Sequence, residues 1–563
     1  MPPVNGTYCV TVMKDRCINI GMPGKCATCV EVCPYDVYAI DTTGHVHVQN
    51  YNACVGCRIC SEFCPEDAIR INPAESEILV RSPWTFPQVE EIHQKAQTGQ
   101  YMLRGFGTMG HTPDFDGITV VPSQIASSPP RDKYREECNL EVVIGEDTCE
   151  NPMRLKVPFL FPGMSYGALS REARMALSIG AAQTGIANNT GEGGLLRDET
   201  WLIKGYENER RTLKRWEPGG YLIVQWSTGR WGVSADYLRA GDAVEIKIGQ
   251  GAKPGMGGHL LGAKVTPDIA AIRGIPVGTD ALSPCRYYDV LDLDDMKRMV
   301  SFIRDVTDYK SPIFFKLGPS RPYQDVQACV EAGADAICID GLAGGTGASP
   351  AIVTQGVGIP TVALIAPAVR ALKDLGVHRK VKLFAMGGMR NGLDAYKAMA
   401  MGADGVGFGA AAEIAMGCRA CMACATGKCP YGIATQDPRL RARLIPEEAG
   451  DRLANFIRAT AEEVKILTML SGHDDIKDLS QEDLRAMDYD TAAITGLKLI
   501  GYERRLPWWE TGEEISEERK MNRLLWPSGR GDLAVPRSVR RVPSLRPVQS
   551  TRRVVVADSK KHK

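Results

Sequence analysis

The sequence contains no apolar run approaching the roughly 18 residues needed to cross a bilayer, and Met1 to Tyr8 lack the basic-then-apolar pattern of a secretory leader. No membrane association is expected, and the chain is expected to work in the cytoplasm. Net charge is also missing. The 67 Lys and Arg balance 67 Asp and Glu, so no global field points to nucleic acid or to a charged membrane surface. No internal repeat appears beyond paired cysteine motifs. What remains is an ordinary globular composition, 44% hydrophobic and 24% charged over 563 residues, enough for roughly two to four domains with a large core.

Cysteine is the residue in excess. In a reducing cytosol, 18 cysteines point to metal ligands rather than disulfides. Cys54-x2-Cys57-x2-Cys60-x3-Cys64-Pro65 is the bacterial ferredoxin run. Cys17-x8-Cys26-x2-Cys29-x3-Cys33-Pro34 repeats its ending with a longer first gap. In such pairs the fourth cysteine of each run ligates the other cluster. Cys17, Cys26, Cys29 and Cys64 are therefore expected to hold one [4Fe–4S] cluster, and Cys33, Cys54, Cys57 and Cys60 the second. Cys9 is a weaker alternative to Cys17, because it needs a longer loop. Zinc knuckles are disfavoured, since zinc sites do not require two Cys-Pro endings. Four further cysteines, Cys418, Cys421, Cys424 and Cys429, sit together, and the other six are scattered and expected to be structural.

The order of textures suggests an N-terminal α+β two-cluster ferredoxin domain over 1–78, a connector over 79–152, a large domain over 153–490, and an extension with a basic tail over 491–563. From Arg530 the chain carries ten Lys or Arg against two Asp, which reads as a solvated tail. Within the large domain, Val244–Ile248, Ile313–Leu317, Ala336–Ile339, Val381–Met386 and Gly405–Phe408 read as buried parallel strands. Helical patterns such as Tyr323–Ala332 and Gly392–Met401 alternate with them. That alternation predicts an α/β fold, a (β/α)8 TIM barrel with Gly-rich strand ends at its active face. Glu447–Leu470 reads as a long amphipathic helix. The Gly387-Gly388 and Gly407-Phe408-Gly409 turns suit a phosphate after the last two strands.

Three segments carry a resemblance. They are Pro162 to Ser170 with Asn189 to Gly194; Lys247 to Gly255; and Gly344 to Pro350 with Gly417 to Gln436 downstream. Together they resemble the FMN-binding synthase domain of glutamate synthase, and with the N-terminal cysteines the archaeal-type, split form of that enzyme. The resemblance implies FMN contacts at Met164, Ser165, Gln250 and Lys316, with Lys316 facing the ring. It implies a 2-oxoglutarate pocket with Lys247, Lys253 and Arg273 on the carboxylates, Glu192 orienting the imino nitrogen, and His259 at the substrate. The Cys418-x5-Cys424-x4-Cys429 spacing is that of the family's [3Fe–4S] site, and Cys421 leaves [4Fe–4S] open. The implied reaction is reductive amination of 2-oxoglutarate with ammonia, through 2-iminoglutarate, to L-glutamate.

Departures from the family pattern are specific. His259 stands where a Gln is usual, and Pro284-Cys285-Arg286-Tyr287-Tyr288 replaces a Pro-Pro-His-His stretch, which opens the amine substrate to alternatives such as methylamine. An electron-transfer subunit is the remaining alternative. The chain starts Met1-Pro2-Pro3-Val4 rather than with a nucleophilic Cys, so ammonia is expected from solution or a separate glutaminase-like subunit. Gly105-x-Gly107-x-x-Gly110 lacks a βαβ setting, so NADPH oxidation is expected in a partner subunit.

Overall fold

Eight short apolar runs form the heart of the molecule: Phe159–Phe161 (β1), Ala187–Asn189 (β2), Tyr221–Trp226 (β3), Ala243–Lys247 (β4), Ile313–Leu317 (β5), Ala336–Asp340 (β6), Lys382–Met386 (β7) and Gly405–Gly407 (β8). Almost every position in them is buried. A strand covered on both faces gains nothing from alternation and reads as a continuous hydrophobic run. In this computed structural model they pair in parallel and in chain order. β8 closes on β1 through Val406↔Phe159 and Gly407↔Leu160. The structure describes residues 8–73, 86–110, 112–125, 127–204 and 219–502, all within one compact unit, Met1–Leu506. The expected basic tail lies outside them.

The expected barrel is present. Two foreseen strands end one residue early, leaving Ile248 and Phe408 beyond β4 and β8. The helix after β5 starts at Pro322, which supplies a preset φ where its missing N–H costs nothing, and ends at Gly333 in the left-handed region (φ 100°). The long helix is Pro446–Leu470, and it buries Leu453, Ile457 and Val464 against the helix Arg171–Thr184. No helix among the described residues is long and apolar enough to cross a membrane.

The connector is more ordered than its prolines suggest. It holds the helix Phe86–Thr98 and a strand, Leu103–Phe106. That strand pairs antiparallel with Thr346–Pro350, which follows β6, and so carries the connector across the C-terminal side of the barrel. The Gly105 to Gly110 stretch lies at this ribbon and opens no helix. The helix Tyr489–Thr495 crosses residue 490, and packing continues beyond it, with Ile500 N–H donating to Ala486 O.

The N-terminal module is a small α+β unit. Tyr8–Val12 pairs antiparallel with Ile69–Pro73, and Tyr38–Ile40 with Val46–Val48. The helices Thr28–Val32 and Ile59–Glu62 lie between the paired strands in sequence. Buried Asn19 ties the first cysteine loop to the second hairpin, donating to Cys26 O and Gly44 O and accepting from Val46 N–H.

Candidate active site

Short strands aim their last side chains and the following loops at the C-terminal mouth of a barrel. Here that mouth holds a cavity of about 110 Å³, open on one side and lined by residues from many of the barrel loops. Glu192 from the turn after β2, Lys247 from the end of β4, and Lys253, His259 and Arg273 from the segment between β4 and β5 all line it. So do Met164, Ser165, Gln250 and Lys316, and the glycines Gly387, Gly388, Gly407 and Gly409. Gly387 and Gly388 have φ values of 96° and 80°, a conformation other residues rarely adopt.

Phe408 is a correction. Its N–H is already bonded to Leu160 O, and its fully buried ring packs edge-on against Phe159 and Phe456. Neither ring nor N–H is offered to the cavity, because β8 ends at Gly407 and the next side chain turns to the barrel–helix interface.

Charge is distributed unevenly around the cavity. Lys247 Nζ lies 3.2 Å from Glu192 Oε2, and Lys316 Nζ 3.3 Å from Asp340 Oδ2. Lys253 and Arg273 are each only 4% exposed. Among the described residues neither has a carboxylate at ion-pair distance. Lys253 Nζ donates to Ala348 O, and one Arg273 Nη donates to Tyr166 O. Burial pulls Lys253 down to about 8, partly offset by Glu192. Burial alone would push Glu192 up, yet Lys247, Lys253 and Arg273 hold it at about 2. Lys316 is pulled down by burial but more than restored by Asp340 and Glu245, and stands above its ordinary value. The cavity thus has two paired cations and two awaiting an anion. Arg273 Nε and Gln225 Oε1 are buried without a hydrogen-bond partner on residues that line the cavity, which suits a polar ligand.

Sequence reasoning missed Gln225, Asp340, Lys264 and Glu413. Gln225 on β3 donates to Glu245 on β4, which also accepts from Asn189 on β2. Lys264, nearly buried, bridges Cys424 O and Ala434 O. Burial pushes Glu413 up to about 7, with Lys264 offsetting part of that. Gln225 points into the barrel from a strand too short to carry a periodic signal, and Lys264 and Glu413 lie on a short turn and a helix outside the strands, so only Asp340, at a strand end, was within reach of sequence reasoning.

The cysteines gather as their spacing suggests. One small cavity in the N-terminal module is lined by Cys17, Cys26, Cys29 and Cys64, and a second by Cys33, Cys54, Cys57 and Cys60. Cys9 is exposed and lines neither. Among the described residues no three His, Cys, Asp or Glu side chains converge on a single metal ion; the thiols surround spaces instead, which suits a multi-atom cluster. Burial pushes Cys29 up to about 12, with Cys26 and Cys17 adding to it. Burial likewise pushes Cys418 up to about 12, with Glu413, Cys429 and Cys421 adding to it. Such crowded thiols ionise only beside strong positive charge. Cys424 lies on the wall of the main cavity. A Cβ on Gly105 would come within 2.4 Å of its own Cβ, so the connector ribbon presses directly on this loop.

The N-terminal module is fastened to the same loop. The Tyr431 hydroxyl donates to Cys57 O at 2.8 Å, Arg419 pairs with Glu62 at 2.6 Å, and Arg443 donates to Val32 O at 3.0 Å. The three thiol groups thus form a chain, from the Cys17 cavity through the Cys57 cavity to the loop whose Cys424 faces the barrel mouth.

A model of the conserved region in glutamate synthase matches residues 121–474. A 4Fe–4S binding domain matches residues 47–70, the second cysteine run alone. Archaeal-type glutamate synthase [NADPH] of Thermotoga maritima is 38% identical over 503 residues, covering 85% of this chain and 94% of that protein. Archaeal glutamate synthase [NADPH] of Archaeoglobus fulgidus is 35% identical over 511 residues, covering 87% and 96%. A glutamate synthase large subunit-like protein of Rhizobium meliloti is 39% identical over 427 residues, covering 73% and 93%. Among solved structures, a lactate oxidase of Pediococcus acidilactici is similar at a TM-score of 0.42 and 15% identity over 67% of this chain and 85% of that one, too distant to bear on function. With the family model matching more than half of the chain, relatives 35–38% identical over most of it and a 4Fe–4S binding domain near its start, the chain belongs to the glutamate synthase family, in its archaeal-type form with an N-terminal ferredoxin module.

Proposed function

We propose that this chain is the synthase subunit that converts 2-oxoglutarate and ammonia to L-glutamate. The reading rests above all on Lys253 and Arg273, two buried cations without carboxylate partners beside an open cavity. Burying unpaired charge is costly, and a dianion with two carboxylates relieves both. Arg273 still has its Nε free and offers a directional N–H to one carboxylate, while Lys253 offers a point charge to the other. Lys247, held by Glu192, is the reserve cation at the same wall.

Met164, Ser165, Gln250 and Lys316 would hold FMN along the remaining wall of the cavity, and the Gly387-Gly388 and Gly409 turns would be open to its phosphate. Bound there, FMN supplies a hydride to an imine carbon, and iron–sulfur clusters supply electrons singly. Ammonia adds to the C2 carbonyl of the held substrate, and water leaves to give 2-iminoglutarate. Ionised Glu192 accepts a hydrogen bond from the imino nitrogen and keeps it oriented. Two electrons and two protons complete the conversion to the amino acid. The two N-terminal quartets are assigned to [4Fe–4S] clusters, and Cys418, Cys421, Cys424 and Cys429 to a third, [3Fe–4S] or [4Fe–4S]. Ammonia and reducing equivalents are assigned to separate glutaminase-like and NADPH-oxidising subunits.

The test is anaerobic turnover of the reconstituted chain with a reduced viologen dye, 2-oxoglutarate and ammonia. Glutamate formation at the rate of dye oxidation supports the proposal. Preference for methylamine over ammonia would move the chain to N-methylglutamate formation, and dye oxidation without either product would leave it an electron carrier.

A further inference from the structure

The two thiol quartets of the N-terminal module differ in the side-chain hydroxyls that reach their sulfurs. At the inner quartet the Tyr38 hydroxyl donates to Cys60 Sγ at 3.1 Å. Both residues are buried, Tyr38 at 3% and Cys60 at 6% exposure, so water does not compete for the sulfur. At the outer quartet the backbone N–H of Ala68 donates to Cys64 Sγ at 3.2 Å, and the only side-chain hydroxyl among the described contacts, Thr28 Oγ1, lies 3.6 Å from Cys26 Sγ in a half-buried setting.

The Tyr38 ring is placed independently of its hydroxyl. It packs with Val10, Val37, Ile69 and Ile71 in the core of the module, and its backbone is paired with Val48 across the hairpin. The O–H is thus a donor held at a ligand sulfur by packing, in a low-dielectric surround where such bonds are strong.

We infer that the Tyr38 hydroxyl raises the reduction potential of the inner cluster, which favours an electron on the side of the module that faces the barrel. The inference rests on the ligand assignments proposed above. One electron enters the cluster and no bond is made or broken. Added negative charge spreads onto the ligand sulfurs, a hydrogen bond to a sulfur strengthens, and the reduced form gains more than the oxidised form. The inner quartet is the one fastened to the barrel, since Tyr431 donates to Cys57 O. A higher potential there favours an electron on the barrel side.

The test is a redox titration of the full reconstituted chain by electron paramagnetic resonance. Cys60→Ser and Cys26→Ser variants identify which signal belongs to which quartet. Tyr38→Phe is expected to keep its iron and sulfide. It should lower the inner midpoint so that the reduced-to-oxidised ratio at the wild-type midpoint drops about tenfold, equivalent to about 59 mV for a one-electron couple. The outer midpoint should not move. Tyr38→Leu, a second removal of the hydroxyl from an apolar site, should give the same shift, and Thr28→Val should leave the inner midpoint in place. An inner midpoint unchanged in Tyr38→Phe, equal shifts at both clusters, or loss of iron from both Tyr38 variants would overturn the inference. Inner and outer signals both unaltered in Cys60→Ser would instead refute the ligand assignment beneath it.

Discussion

Replacing Glu192 by Gln tests the charge arrangement of the cavity with almost no change of shape. The Glu192 carboxyl stands at about 2 against an ordinary 4.5, although burial opposes ionisation, because Lys247, Lys253 and Arg273 surround it. The difference of about 2.5, at about 1.36 kcal/mol per pKa unit, favours the ionised carboxylate by about 3 kcal/mol. Its side chain is only 13% exposed, so solvent screening removes little of this. A folded value below the unfolded one means that the stabilisation is complete above pH 4.5 and fades as pH falls toward 2. Glu192→Gln should therefore lower the unfolding free energy by about 3 kcal/mol in anaerobic urea titrations at pH 6, where Lys253, at about 8, is charged. The cavity also becomes more positive by one charge, so an unreactive dicarboxylate should bind more tightly by calorimetry while turnover falls. A stability change below about 0.5 kcal/mol, the range of ordinary surface substitutions, with dicarboxylate affinity unaltered, would refute the picture of an ionised Glu192 held among cations.

Other consequences are more local. Because Lys253 stands at about 8, dicarboxylate affinity should weaken as pH rises through 8, and Lys253→Arg should flatten that dependence in calorimetry between pH 7 and 9. A Cβ on Gly258 would come within 1.5 Å of Glu192 Oε1. Gly258→Ala should therefore displace that carboxylate and abolish glutamate formation at a stability cost of about 1–3 kcal/mol, with the flavin spectrum retained. Arg174 and Glu199 are a fully buried pair, and Arg174 also holds Met164 O. Arg174→Met should cost about 3–5 kcal/mol in urea unfolding, the penalty for stranding a buried charge.

The fold was legible wherever one signal dominated. Fixed cysteine spacings marked the module, and buried strands such as Ile313–Leu317 stood out against amphipathic helices. β1, β2 and β3 escaped: β1 and β2 span only three residues each, β2 ends on polar Asn188, which faces Ser178 on a surrounding helix, and Asn189, which faces Glu245 inside the barrel, and β3 carries the polar Gln225 within its apolar run. The site was legible through contiguous motifs and failed where chemistry is assembled from separate strands. Gln225, Glu245 and Asn189 meet only because their strands are neighbours. Phe408 misled because its neighbours Gly407 and Gly409 do face the cavity, and one position along a strand reverses the side chain's direction.

The fastening of the N-terminal module by Tyr431, Arg419 and Arg443 has a kinetic consequence. A free ferredoxin must collide with its acceptor, so its delivery slows with dilution, viscosity and salt. Under the proposed assignment, donor and acceptor thiols are parts of one compact unit, and the step between them is a first-order event whose rate ignores all three. Only the outermost hand-off, from an external reductant to the Cys17 quartet, should retain the signature of an encounter.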